Sequence, residues 1–390
     1  VLDRAERAHR IGELARLYLR LGLTSFGGPA AHIALMENEV VVRRRWLTHE
    51  AFIDLVGATN LIPGPNSTEM AMHLGFLRAG VPGLCVSGVS FILPAALITV
   101  ILAILYTQYG SLPDAAPFLH GIQAAVIAII AASAVRLGRT AVKKQIDLLI
   151  IGILVFASSL LLGDEILVLL AGGIIGGLWL YFRRHFPTGP LTTAIAVWYA
   201  WGTPQLNGAS QPESATILKL TLVFLKIGSV LYGSGYVLIA LLRDQLINTQ
   251  GWLTPQQLLD AVAVGQFTPG PVLSTATFIG YQVLGLKGAA AATGAIFFPS
   301  FVFVVIVNPL IPRLRRFPLM SAFLDAVNVS SVALIAAVAV QLGIGALREW
   351  LTIGIGVASL LAAVRTRLNP AWLVIGGGAV SVLASIMHLG

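Results

Sequence analysis

An all-α membrane protein of many crossings, built from two related halves, is the fold this sequence predicts, and three observations predict it. Of its 390 residues, 57% are apolar and 11% charged, with a mean hydropathy of +0.86, far outside the range of soluble globular chains. Long apolar runs recur without the two-residue alternation of a barrel, so the crossings must be helices that satisfy their own backbone in lipid. The tripeptide Pro-Gly-Pro occurs twice, at 63–65 and 269–271, and its surroundings repeat at the same offset.

Taken in order, the residues through Arg16 mix Arg4, Arg7 and Arg10 with Asp3, Glu6 and Glu13. They read as an amphipathic surface helix; the apolar stretch that follows has no small-residue cleavage site and is interrupted by Arg20, so it is not a cleavable signal. Apolar segments then cover about 14–36, 50–62, 65–79, 84–107, 118–138, 146–162, 166–182 and 190–202. The polar stretch Gly202 to Ser214 reads as a linker. Beyond it come 216–242, 256–268, 271–285, 289–311, 320–346, 350–364 and 370–388. The chain therefore divides into an N-terminal repeat (1–203, with a short linking segment at 190–202), a linker (204–215) and a C-terminal repeat (216–390).

The repeat rests on particular residues. An offset of 206 pairs Trp46-Leu47-Thr48 with Trp252-Leu253-Thr254, Asp54 with Asp260, Gly22 with Gly228 and Gly27 with Gly233. Residues 17–65 match 223–271 at 14 of 49 positions, among them Gly22, Gly27, Trp46, Thr48, Asp54 and the whole of Pro63-Gly64-Pro65. Internal duplication of this kind builds many secondary transporters. Equivalent loops differ in charge: Arg43-Arg44-Arg45 answers to Thr249-Gln250-Gly251, the Asp114 loop to Arg313, Arg315 and Arg316, and Asp164-Glu165 to Arg365 and Arg367. Positive charge marks cytoplasmic loops, so the alternation predicts inverted halves. The loops holding Lys143, Arg183, Arg315 and Arg365 are expected inside, as is the N-terminus, with the C-terminus outside. Each Pro-Gly-Pro element is either one broken span or a re-entrant hairpin.

Composition also excludes function classes. The net charge of +8 sits in short clusters between apolar runs, which is a topology signal and not a nucleic-acid footprint. A single cysteine, Cys85, rules out an internal disulfide, and the seven histidines lack metal-ligand spacing. No Walker A sequence is present, so no nucleotide drives the protein in cis, and no cofactor is expected. The partners are the lipid bilayer and a small solute; a homodimer is compatible with the sequence.

The chemistry concentrates at the breaks. Neither proline can continue a helix, so the chain must stop and restart. With Pro65 as the first helical residue, the amides of Asn66, Ser67 and Thr68 become free donors at a positive dipole end, an anion seat. Pro63, Gly64 and Pro65 form one such seat; Pro269, Gly270 and Pro271, with Ser274 and Thr275 a turn later, form its partner across the pseudo-twofold axis. The alternative is a pair of helix kinks, which membrane helices tolerate. Asn60 and Gln266, three residues before the breaks, donate amide N–H groups to the same cavity or serve as interhelical glue. Arg20 and Lys226 stand inside apolar segments, to attract an anion or to snorkel to the interface. Asp54, Asp260, Glu39 and Glu69 are the proton-coupling candidates; Asp54 and Asp260 also suit helix starts capped by Thr48 and Thr254, and Glu39 or Glu69 suits a buried partner of Arg20 or His73.

Phe26-Gly27-Gly28-Pro29 with His32, then Glu39, Arg45-Trp46-Leu47 and Pro63-Gly64-Pro65, repeated in weaker form after residue 220, resembles the chromate ion transporter family in its long two-domain form. The resemblance implies a chromate exporter that confers chromate resistance, with sulfate as the competing oxyanion. It adds His32, Gly27 and Gly28 to the site, with Gly233 and Ser234 of Tyr232-Gly233-Ser234-Gly235 as their departing counterparts and no second histidine. The expected function is export of a tetrahedral oxyanion across the inner membrane by alternating access. With the cell interior negative, outward movement of a dianion is favoured by about 4.6 kcal/mol per 100 mV, whereas electrogenically favourable uptake needs about three co-transported protons. Sulfate uptake by the same site, an anion channel and an intramembrane enzyme are the alternatives, the last lacking an acid cluster or nucleophile–base pair.

Overall fold

A computed structural model describes residues 4–26, 28–59, 61–110, 112, 115–143, 145–162, 164–185, 214–233, 235–307, 317–366 and 368–387. Among these there are 14 α-helices and no strand. The first half holds α1 (Arg4–Thr24), α2 (Pro29–Glu37) running into a π-turn at Asn38–Arg43, α3 (His49–Thr59), α4 (Asn66–Tyr109), α5 (Ala116–Ala141), α6 (Ile146–Leu162) and α7 (Glu165–His185). The second holds α8 (Ile217–Val230), α9 (Val237–Leu242) with a π-turn at Arg243–Thr249, α10 (Pro255–Phe267), a 3₁₀ turn at Val272–Ser274, α11 (Thr275–Val307), α12 (Pro318–Ala346), α13 (Trp350–Arg365) and α14 (Pro370–Ile386). The linking segment 190–202 and most of the linker lie outside the described residues. The apolar run 14–36 is not one segment: α1 stops at Thr24 and the helix resumes at Pro29, because the glycine motif between them breaks it.

α4 and α11 are not straight rods. Both leave helical geometry at equivalent residues, Ala79 (φ −146°, ψ 20°) and Gly80 (φ 66°, ψ −153°) in one, Leu284 (φ −139°, ψ 25°) and Gly285 (φ 61°, ψ −151°) in the other. Residues eight apart on a straight helix are separated by about 12 Å. Here a Cβ on Gly75 would overlap the carbonyl of Gly83, and one on Gly280 the carbonyl of Gly288. Each chain therefore doubles back into two arms packed backbone to backbone, and only glycine lets them approach so closely.

The Pro-Gly-Pro elements turn the chain as well. Gly265, before the second break, lies against Val272 O, 3.5 Å from its ideal Cβ, and against Thr275 Oγ1, after the break. The break is thus the tip of a helical hairpin. Its arms are short: α3 has 11 residues and α10 has 13, about 16 and 20 Å, too little for a hydrocarbon core of about 30 Å. Five helices, α4, α5, α7, α11 and α12, are long and apolar enough to cross a membrane, with α6, α13 and α14 as shorter apolar helices.

The halves interlock rather than sit side by side. α5 packs on α13 and α14 of the second half, and its counterpart α12 packs on α6 and α7 of the first. α5 and α12 pack directly on each other, and so do α4 and α11, with α1 against α4 and α8 against α11. The exchange is reciprocal, which is the contact pattern of a twofold relation. The close glycine contacts predict that Gly83→Ala and Gly288→Ala each destabilise by about 1–3 kcal/mol through overpacking, while Gly294→Ala, with open space around it, leaves the melting temperature unchanged or raised. Thermal unfolding of the detergent-solubilised protein, followed by tryptophan fluorescence, measures all three.

Candidate functional site

Each break is held by the other half. The Gly64 N–H donates to Leu231 O at 2.7 Å, and the Gly270 N–H donates to Ser25 O at 2.9 Å. Leu231 and Ser25 are themselves equivalent positions, each opening a glycine motif. Both break glycines have positive φ, 146° at Gly64 and 89° at Gly270, a region that excludes side chains without strain. A Cβ on Gly64 would overlap the Glu69 carboxylate and the Ser300 hydroxyl; one on Gly270 would lie 2.9 Å from Ala95 Cβ.

The local helix start differs from the sequence reading. Pro65 is the N-cap, extended at φ −80° and ψ 98°, and the helix begins at Asn66. The Thr68 N–H is not free, since it donates to Pro65 O at 2.8 Å. In the second half Pro271 caps a 3₁₀ turn, and the Ser274 N–H donates to Pro271 O at 3.0 Å. Pro63, Gly64, Pro65, Ser67, Thr68, Pro269, Gly270, Pro271, Ser274 and Thr275 are buried, while Asn66 is half-buried.

His32 joins the two breaks. Its Nε2 lies 3.2 Å from Ser25 O and its Nδ1 3.3 Å from Ser67 Oγ, with the ring edge-on to Phe91 at 5.5 Å. A carbonyl only accepts, so Nε2 carries the proton and Nδ1 of the neutral ring accepts from the Ser67 hydroxyl. Ser25 O thereby takes two donors, His32 Nε2–H and Gly270 N–H. The chain from Ser67 to Gly270 runs through one imidazole.

The expected cations do not stand free. Arg20 pairs with Glu39 at 2.5 Å, and Glu39 also takes Arg43 at 2.9 Å and Arg44 at 3.4 Å. Lys226 donates to Gln245 at 3.2 Å, the counterpart of the same contact. Asp260 is buried and accepts from Tyr106 Oη at 2.7 Å and Gln123 Nε2 at 2.9 Å, whereas its partner Asp54 is exposed. Gln266 is buried, 3.5 Å from Tyr236 Oη. Glu69 is fully buried beside Gly64. Gly28 and Gly233 both have positive φ, 80° and 93°; Asn60, Gly27 and Ser234 lie outside the described residues.

Two adjoining cavities, about 530 and 910 Å³, share Asn66, Leu137 and Gly233 as lining. The smaller adds Lys143, Asn328, Ser331 and Asp325; the larger adds Gly28, Arg136, Tyr236 and Arg365. Neither reaches Arg20 or Lys226. Arg136 is the residue the sequence reading passed over, although an arginine inside the apolar run 118–138 is the same kind of signal that singled out Arg20. Lys143 and Arg184 converge on Asp325, at 2.5 and 3.0 Å. Among the described residues no cluster of acids, histidines and cysteine could hold a metal.

An all-helical, multi-pass membrane protein whose interrupted helices end beside cavities that carry charged and polar side chains has the build of a membrane transporter. This chain belongs to the chromate transporter family: the sequence profile described as Chromate transporter matches residues 12–177 and again 218–382. A probable chromate transport protein of Synechococcus elongatus is 33% identical over 359 residues, covering 91% of this chain and 90% of that protein. Chromate transport proteins of Cupriavidus metallidurans (31% over 329 residues, 84% and 81%) and Pseudomonas aeruginosa (32% over 338 residues, 85% and 80%) are also similar. No solved structure matches the chain.

Replacing His32 by leucine leaves the buried Ser67 hydroxyl and one lone pair of Ser25 O without partners, a cost of about 1–3 kcal/mol. His32→Gln, which can rebuild a donor and an acceptor, is expected to lose less than half as much in the same thermal measurement.

Proposed function

We propose that the protein exports chromate from the cytoplasm by alternating access between two inverted halves, and that the conformation described here is open inward. One observation carries this reading: two equivalent hairpins are packed differently. α10 packs on α5 and α14, with Asp260 bonded to Tyr106 and Gln123. α3 has no comparable packing on α12 or α7, Asp54 is exposed, and the cavities lie where that packing would be. A repeat protein whose halves adopt two different packings has a second state available by exchanging them.

Direction follows from charge. The open side is lined by Arg136, Lys143 and Arg365, which belong to the loops and helix ends that positive-inside sorting assigns to the cytoplasm. Hairpins that return to their own face leave the long arm of α4, then α5, α6 and α7, as crossings of the first half. The basic lining draws a dianion toward Asn66 at the start of α4, which lines both cavities. Export is downhill in the membrane potential, which supports chromate efflux over sulfate uptake at this site.

The α5 and α12 sequences align at an offset of 205, pairing Gly138 with Gly343 and Gln123 with Asn328. Asn328 lines the cavity opposite the exposed Asp54 side. In the outward state Asp54 takes Asn328 as Asp260 takes Gln123 here. In a Cys85→Ser background, the cysteine pairs Gln123→Cys/Asp260→Cys and Asp54→Cys/Asn328→Cys should both crosslink in membranes, each arresting chromate flux. Continued chromate flux with no 54/328 crosslink under any condition would sink the exchange. In proteoliposomes, Arg136→Gln should weaken apparent chromate affinity about tenfold, the worth of one charge-assisted hydrogen bond, and Arg20→Gln should stay within about twofold because Arg20 is held by Glu39.

A further inference from the structure

We infer that Glu165 and Asp244 form a proton-operated lock on the face opposite the open cavities, holding one proton between them while that face is closed and releasing it to the outer side when the face opens. The inference rests on the inward-open exchange proposed above, which makes that face the outer one. Glu165 opens α7 in the first half, and Asp244 stands in the π-turn after α9 in the second, so the pair bridges the two halves. Both are buried, Glu165 completely. Their carboxyl groups lie within hydrogen-bond reach of each other. Glu165 Oε2 is enclosed without an aligned donor among the described residues. Ionised carboxylates only accept, so the contact needs a proton between them.

The cations nearby do not replace that proton. Arg243 Nη1, from the same π-turn, reaches Glu165 at its other oxygen, Oε1, and at 3.4 Å. Gln245 Nε2 donates to Asp244 Oδ2 at 2.7 Å, while Lys226 of α8 contacts Gln245 Oε1 at 3.2 Å, one side chain removed from the acid. The α6–α7 turn adds a further negative charge, the exposed Asp164, and the Glu165 N–H faces its own carboxyl. α6 and α12 also pack on α7, but their charged residues, Asp147 and Asp325, lie at its far end with Arg183 and Arg184. α9 carries no charge.

The repeat relates this lock to the open face. At an offset of 205 Glu165 corresponds to Pro370, and at 206 Arg243 and Asp244 correspond to Glu37 and Asn38, so the pair of acids has no counterpart. Pro370, at the start of α14, instead lines the larger cavity together with Gly28, Pro29 and Ile33. What is open there is closed on the opposite face by α7 against the π-turn. An exchange of packings must therefore part Glu165 from Asp244 and place both in water, where a carboxyl ionises above about pH 4. The closed outer face binds one proton more than the open one. A rise in outer pH thus favours opening, by up to about tenfold per unit.

The test uses intact cells, with the outer pH set and the inner pH held by the cell. Leu342 is buried, and its counterpart Leu137 lines both cavities. In a Cys85→Ser background, Leu342→Cys should therefore meet outer water only in the outward state, which its labelling by a membrane-impermeant maleimide reports. Thiol ionisation alone speeds labelling about tenfold per pH unit below the ordinary cysteine pKa of about 8.5. The lock should steepen this to as much as about a hundredfold between outer pH of about 6 and about 7. Glu165→Gln and Asp244→Asn each keep a neutral donor against the remaining carboxylate and should label with the thiol slope alone. A thiol slope in the chain that keeps both acids overturns the inference, as does an equally steep slope in both variants. The chain with both acids decides even where neither variant folds. No labelling at any outer pH while chromate efflux persists removes the exchange of packings and the lock with it, a result distinct from either.

Discussion

A helix can be interrupted inside a bilayer only where something else satisfies the freed backbone, and here each interruption is satisfied by the other half of the chain. Gly64 N–H on Leu231 O and Gly270 N–H on Ser25 O are one contact made twice. Water cannot replace either bond in the hydrocarbon region, where an unpaired amide costs several kcal/mol. The two Pro-Gly-Pro tips therefore form only when both halves are present and in register. The reciprocal packing of α5 on α13 and α14, and of α12 on α6 and α7, follows the same logic on a larger scale.

That shared frame makes the differences between the halves informative. Arg20 with Glu39 and Lys226 with Gln245 keep one contact while changing its charge. The first version gathers Arg43 and Arg44 on the same carboxylate, so it holds a basic loop against α1 and keeps Arg20 engaged. Asp54 and Asp260 keep their identity while changing their surroundings, exposed in one half and doubly hydrogen-bonded in the other. On the proposed exchange of packings, a change of residue marks a divided role and a change of surroundings at a fixed residue marks a conformational state.

Much of this was legible before any coordinates. The offset of 206 marked the equivalent residues, and the apolar segments 65–79 and 84–107 are the two arms into which α4 folds at Gly80. The break in 14–36 was not resolved, because a glycine pair inside an apolar run is as compatible with close helix packing as with a stop. Pro65 was placed one residue too far into its helix for a similar reason: proline suits both the first helical position and the cap. Hydropathy also could not choose between a broken span and a hairpin, since both have the same composition. The choice lies in Gly265 meeting Thr275, a contact between residues that no local pattern relates. Arg136 escaped because its function depends on what it faces, which is a property of the assembled cavity.

The proposed seat at the start of α4 holds no permanent cation, and electrostatics favours that arrangement. A lysine or arginine at Asn66 would bind a dianion strongly in a low-dielectric site, and the same attraction would oppose release on the far side. Amides at a helix start supply partial charges only, fixed in direction and unable to follow the ion. In the proposed export cycle the full charges belong at the rim, on Arg136 and Arg365, which line the larger cavity and would raise the local concentration of anion without trapping it. His32 holds this seat in place from behind: by taking the Ser67 hydroxyl proton on one side and donating to Ser25 O on the other, it ties the end of one hairpin to the carbonyl that anchors the next. A displacement of either tip is thus transmitted to the other through a single ring, and the half that lacks this histidine is the half whose hairpin is closed.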